Sequence, residues 1–93
     1  MLTLDSSLRI PEYVLSTTVE EEVILLNTQT NKYFTLDDVG ARLWNLLSGG
    51  KSLRECHLAL LQEYDVEPDI LEQDLLELVD TLRAGDLVEI TPI

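Results

Sequence analysis

Residues 30–44 read TNKYFTLDDVGARLW, and the fold turns on this stretch. Lys32-Tyr33-Phe34-Thr35-Leu36 is aromatic and β-compatible. Asp37 suits a helix N-cap, and Asp38 in the first turn suits the helix dipole. A strand therefore runs straight into a helix. Strand side chains alternate, so Lys32, Phe34 and Leu36 share one face and Tyr33 and Thr35 the other. Leu36 precedes the cap and is expected to reach the core, which takes Phe34 inward and points Tyr33 away. Tyr33 is then either an ordinary surface aromatic or part of a recognition surface.

Upstream, Tyr13 to Thr18 is β-prone and Glu20-Glu21-Glu22 makes a polar turn. Val23-Ile24-Leu25-Leu26 is a short apolar run of the kind expected when a strand is covered on both faces. Asn27 to Asn31 is turn chemistry. The three strands form an antiparallel meander. Residues 1–12 are expected to be an extended N-terminal arm and residues 13–90 one domain.

Downstream, three helices follow. Val39, Leu43, Leu46 and Leu47 lie on one face of the first, with Trp44 beside that stripe as a satellite core residue. Ser48-Gly49-Gly50 stops it. Ser52 and Glu55 form a capping box for the second, whose apolar positions are Leu53, Cys56, His57, Leu60, Leu61 and Tyr64. Pro68 starts the third, which runs to Ala84 and ends at Gly85. On it Leu71, Leu75, Leu78, Val79 and Leu82 make a core-facing stripe, flanked by Ile70 and Asp74 on one side and Leu76 on the other. Asp86 to Ile90 forms a short final strand. The expected fold class is α+β and winged helix-turn-helix-like: a three-stranded antiparallel sheet, three helices and a final strand.

Composition narrows function. A chain of 93 residues makes one modest core and leaves no room for a deep catalytic chamber. The charge is lopsided, with 18 acidic residues against 6 basic ones and a formal net charge of −12. DNA affinity rests on Lys and Arg neutralising phosphates. The third helix carries Glu67, Asp69, Glu72, Asp74, Glu77 and Asp80 against Arg83, which disfavours a winged-helix transcription regulator and any nucleic-acid or anionic-membrane partner. Cys56 and His57 are adjacent on a helix, so their side chains diverge by about 100°. No second Cys or His completes a triad or a metal shell. A small enzyme built on Cys56 and His57 is therefore disfavoured, and neither a cofactor nor a metal is expected. One cysteine and no signal-peptide pattern suit the cytosol.

What remains is the edge of the third strand. Lys32 is the one blunting device within Lys32–Leu36, which has no Pro or Gly. Either the final strand or residues 2–10 cover this edge, or it is open for an extended peptide to add by main-chain hydrogen bonds.

Three motifs in order carry a resemblance: the LLN-x-x-T-x-x-Y-F-x-L strand pair, the V-G-A-R-L-W-x-L-L helix and the Y-x-V-x-P junction. Over residues 13–90 the sequence resembles the PqqD-like proteins, the free-standing recognition elements of pathways for ribosomally made, modified peptides. That resemblance implies a non-catalytic binder of a precursor's leader peptide. The leader would add to Lys32, Tyr33, Phe34, Thr35 and Leu36 and lie against a helix wall of Ile70, Leu71, Asp74, Leu75 and Leu78. The family often has Asn where Asp37 stands, Gly where Asn31 stands and Phe near Leu78. The implied partner is a modifying enzyme: a leader peptidase, with a cyclase, in the lasso-peptide branch, or a radical-SAM enzyme in the coenzyme-PQQ branch.

Overall fold

A computed structural model describes residues 2–91. The elements in chain order are β1 (Ser7–Arg9), β2 (Val14–Val19), β3 (Glu22–Asn27), β4 (Lys32–Leu36), α1 (Asp38–Ser48), α2 (Leu53–Glu63), α3 (Pro68–Ala84) and β5 (Glu89–Thr91). The strands make two sheets. One is the antiparallel meander β2-β3-β4, and the other is the antiparallel pair β1-β5.

Each of the three helices has an apolar face to bury, and α2 is capped by side chains as well. Ser52 and Glu55 close a full capping box at the start of α2, each accepting the other's backbone N–H. Asp37 stands at the N-cap of α1 in an extended conformation without a side-chain cap bond. Leu43, Leu60, Val79 and Leu82 are completely buried where the helices meet Leu25 of the meander. Each such side chain contributes about 1.5–3 kcal/mol of transfer free energy. Trp44 is also buried in this core, more deeply than its place beside the α1 stripe suggested.

Two segments depart from simple patterning. The described N-terminal stretch is fastened to the rest of the domain. Leu4 and Pro11 are buried, β1 pairs with β5, and Arg54 holds the Asp5 carboxylate through two nitrogens at 2.8 and 3.1 Å. A three-residue strand is too short to show period-2 alternation, so pairing with the chain's last strand makes it a strand. The second departure is β3. Val23 and Leu25 face the core, but Ile24 and Leu26 are only half-buried. No described segment covers that outer face, so the apolar run is covered on one side.

Turns set the meander's geometry. Asn31 sits at φ 61°, the left-handed region, and donates its N–H to the Asn27 carbonyl at 2.7 Å. Asn tolerates that conformation nearly as well as Gly, which accounts physically for Asn at a position where Gly is common. The β2–β3 turn is harsher. Val19 and Glu22 are register partners, leaving Glu20-Glu21 as the whole loop, and Glu20 has φ 58°. A side chain there costs on the order of 1 kcal/mol. Glu20→Gly is therefore expected to stabilise the domain by about 1 kcal/mol, raising the thermal midpoint by about 4–8 °C in scanning calorimetry.

Candidate peptide-docking site

Backbone direction in the meander follows from one hydrogen bond. Val14 pairs with Asn27, so Tyr13 and Thr28 are the next pair, and Thr28 N–H donates to the Tyr13 carbonyl at 3.0 Å. That makes Tyr13/Thr28 a hydrogen-bonded pair, and such pairs alternate along an antiparallel ladder. Residues Glu22, Ile24 and Leu26 of β3 therefore bond towards β2, while Val23, Leu25 and Asn27 bond towards β4. Their β4 partners are Leu36, Phe34 and Lys32. The amide and carbonyl groups of Tyr33 and Thr35 are left pointing out of the sheet.

Among the described residues nothing meets them. β5, one candidate cover, pairs with β1, and residues 7–9 pair with β5. The β4 edge is open. Its side chains alternate as patterning predicts: Leu36 is buried, Phe34 packs partly on the core, and Tyr33 is 71% exposed.

α3 approaches this edge through Gly40. A Cβ built on Gly40 would lie 3.3 Å from Leu36 Cδ2 and 3.3 Å from Leu78 Cδ2. Glycine thus lets the end of β4 and the flank of α3 close on each other. From Leu78 the flank runs through exposed Asp74 to Ile70, which is 57% exposed. Leu71 and Leu75 lie beneath it in the core. The eight steps from Leu78 to Ile70 span about 12 Å of helix. The four steps from Leu36 to Lys32 span about 13 Å of strand. Tyr64 O–H donates to Asp38 Oδ1 at 3.4 Å, tying the end of α2 to the helix start beside β4.

The other candidate chemistry is closed off. Cys56 is fully buried, and burial pushes its thiol up to about 11, so it stays protonated at neutral pH. His57 is buried and bonds the Pro68 carbonyl through Nε2 at 2.9 Å; a carbonyl only accepts, so Nε2 donates. No described group of three or more His, Cys, Asp or Glu side chains could hold a metal ion. No described helix is long and apolar enough to cross a membrane. A cleft of about 470 Å3 lies on the far flank of α3, between Leu2, Leu76 and a rim of acids that includes Glu72 and Asp80, away from β4.

The family model for coenzyme PQQ synthesis protein D matches residues 22–88. The chain belongs to the PqqD family. Among solved structures, TbiB1 in complex with the TbiA(beta) leader peptide is 38% identical. It matches with a TM-score of 0.87 over 91% of this chain and 99% of that one. The PqqD fold recurs in lasso peptide synthetase B1 complexed with the leader peptide, at 24% identity and a TM-score of 0.81. That match covers 89% of this chain and 98% of the other. No curated protein matches the chain.

Three features of the PqqD scaffold escaped sequence reasoning. Asn27 looked like a turn residue but is buried, and its amide reaches the Gly85 and Asp86 carbonyls at 3.2 and 3.4 Å. Which β4 amides face outward depends on ladder phase, which a sequence does not carry. Gly40 inside a helix was a weak signal, whose reason is the Leu36–Leu78 approach.

Proposed function

We propose that this protein is a non-catalytic adaptor that binds the leader of a ribosomally made precursor peptide and delivers the attached core peptide to a modifying enzyme. The carrying observation is the unpaired β4 edge beside the Ile70–Asp74–Leu78 flank of α3. Strand and flank match in length, so a leader segment of four or five residues could bond to Tyr33 and Thr35 while its side chains meet the helix. The TbiB1 structure, solved with a leader peptide, supports this reading. The buried, protonated Cys56 supports a role without catalysis.

The lasso-peptide branch, with a leader peptidase as the receiving enzyme, is favoured by the sequence resemblance. A coenzyme-PQQ type of presentation to a radical-SAM enzyme is the second reading, favoured by the description of the matching family. The net charge of −12 argues against nucleic acid and anionic membrane as partners. A free cysteine held inside the core suits the cytosol.

A titration of fluorescently labelled candidate leaders tests the proposal. The wild type is expected to bind its own leader, and Ile70→Asp to weaken that binding by about 2 kcal/mol, near thirtyfold. Ile70 is exposed, so the fold survives the change. Equal affinity in Ile70→Asp would remove the helix wall from the site. Failure of every precursor encoded near the protein to bind would remove the adaptor reading itself.

A further inference from the structure

The meander has a second open edge. In the order β2-β3-β4, strand β2 pairs with β3 alone, and no described segment meets its other side. The ladder phase that turns Tyr33 and Thr35 outward also turns Leu15, Thr17 and Val19 towards β3. Val14, Ser16 and Thr18 therefore present their backbone groups to the open side. The Val14 N–H is already taken by the Pro11 carbonyl at 3.1 Å, so the free donors are Ser16 and Thr18. Within Val14–Val19 there is no charge, proline or glycine, the usual devices that blunt an edge. Leu15 and Val19 stand 55% and 50% exposed beside it, in the sheet's uncovered outer face. Across the sheet on that face Leu15 pairs with half-buried Leu26 and Leu26 with Tyr33, while Val19 pairs with exposed Glu22.

Charge decides what fits. β2 is neutral along its length but flanked by Glu12 at one end and Glu20-Glu21-Glu22 at the other. A second copy pairing antiparallel would set Glu20-Glu21-Glu22 of each chain against Glu12 of the other. It would also join two chains of net charge −12. A parallel pairing stacks the glutamates directly. Self-association is therefore opposed at both ends of the strand, and the complementary occupant is uncharged in the middle and basic at its ends.

We propose, resting on the adaptor reading above, that β2 is the docking strand for the modifying enzyme: an extended segment of that enzyme, flanked by Lys or Arg, adds to Ser16 and Thr18. The two edges are then used together, leader on β4 and enzyme on β2, in one continuous sheet. Four strand spacings separate the two added strands, about 19 Å. A core peptide leaving the leader would cross that distance in about six extended residues. This is how one small sheet could hold substrate and enzyme within reach of each other.

The test measures two affinities on the same variants: for the leader, and for the modifying enzyme encoded beside the protein. Proline at an edge position whose N–H faces solvent is tolerated, so Ser16→Pro and Thr18→Pro should fold. Leu15→Lys combined with Val19→Lys is the second variant, which leaves the backbone intact. Leu58→Lys with Gln62→Lys, both exposed on α2, adds the same charge elsewhere. Expected are leader affinities within about twofold of wild type and a loss of enzyme affinity of about tenfold or more in the β2 variants alone. Undiminished enzyme binding in the β2 variants would overturn the proposal and leave the adaptor reading standing. Loss of leader binding in Ser16→Pro, with native circular dichroism, would overturn it by making β2 the leader's strand. A wild-type dimer that Ser16→Pro dissociates would overturn it in favour of a second copy. If β2-dependent enzyme binding is present but no leader binds, β2 docking stands and the adaptor reading fails.

Discussion

Thr35→Pro is expected to weaken leader binding severely in a protein that remains folded. Thr35 pairs with Ile24, but its amide points away from β3, so proline there removes no bond of the meander. It removes a donor that an added strand would use, and its ring occupies the space where that strand would lie. The lost hydrogen bond and the disturbed neighbour together cost about 2–3 kcal/mol, a weakening of roughly 30- to 150-fold. Tyr33→Pro should behave alike. Phe34→Pro should not: its amide bonds towards Leu25, so that variant loses the sheet itself. The contrast between neighbouring positions is the discriminating result. Wild-type affinity in Thr35→Pro, with an unchanged circular dichroism spectrum, would remove strand addition at β4.

Asn27→Ala is expected to be the most damaging polar substitution for stability. The buried Asn27 side chain donates to the Gly85 and Asp86 carbonyls and accepts from the Gln29 and Thr30 N–H groups at 3.0 and 3.3 Å. It thereby closes the β3–β4 hairpin and clamps it to the end of α3. Alanine leaves several partners unsatisfied and opens a small void, about 3 kcal/mol in all. Domains of this size are stable by about 5–15 kcal/mol, so the loss is a large fraction. The thermal midpoint should fall by roughly 12–24 °C, followed by the fluorescence of the buried Trp44. A shift of only a few degrees would mean that the hairpin is held by its strands alone.

Much of the fold was legible because its signals are local. The capping box at Ser52, the proline start of α3 and the inward phase of Phe34 and Leu36 each follow from residues a few positions apart. The Ile70/Asp74 flank was legible from helical periodicity and carried its functional meaning only through the family resemblance. What escaped depends on long-range pairing. β1 exists because Ser7–Arg9 finds Glu89–Thr91 across the whole chain, helped by Arg9 reaching Glu89 at 3.1 Å. The half-covered state of Ile24 and Leu26 depends on which layers were built, and an apolar run looks the same with one covered face or two. The second open edge was invisible for the same reason, since no pattern in VLSTTV states that its far side lacks a neighbour.

The β1–β5 clasp has a further consequence, for how the domain can be carried. Ser7 and Thr91 are register partners in an antiparallel pair, so their Cα atoms lie about 5 Å apart. Ahead of Ser7 the chain runs on across the helices, with Asp5 held by Arg54, Leu4 buried and Leu2 against α3. A partner fused after Thr91 would therefore leave from beside β1, whereas one fused ahead of Leu2 would leave from the side of α3. Either attachment would leave the β2-β3-β4 pairing unbroken.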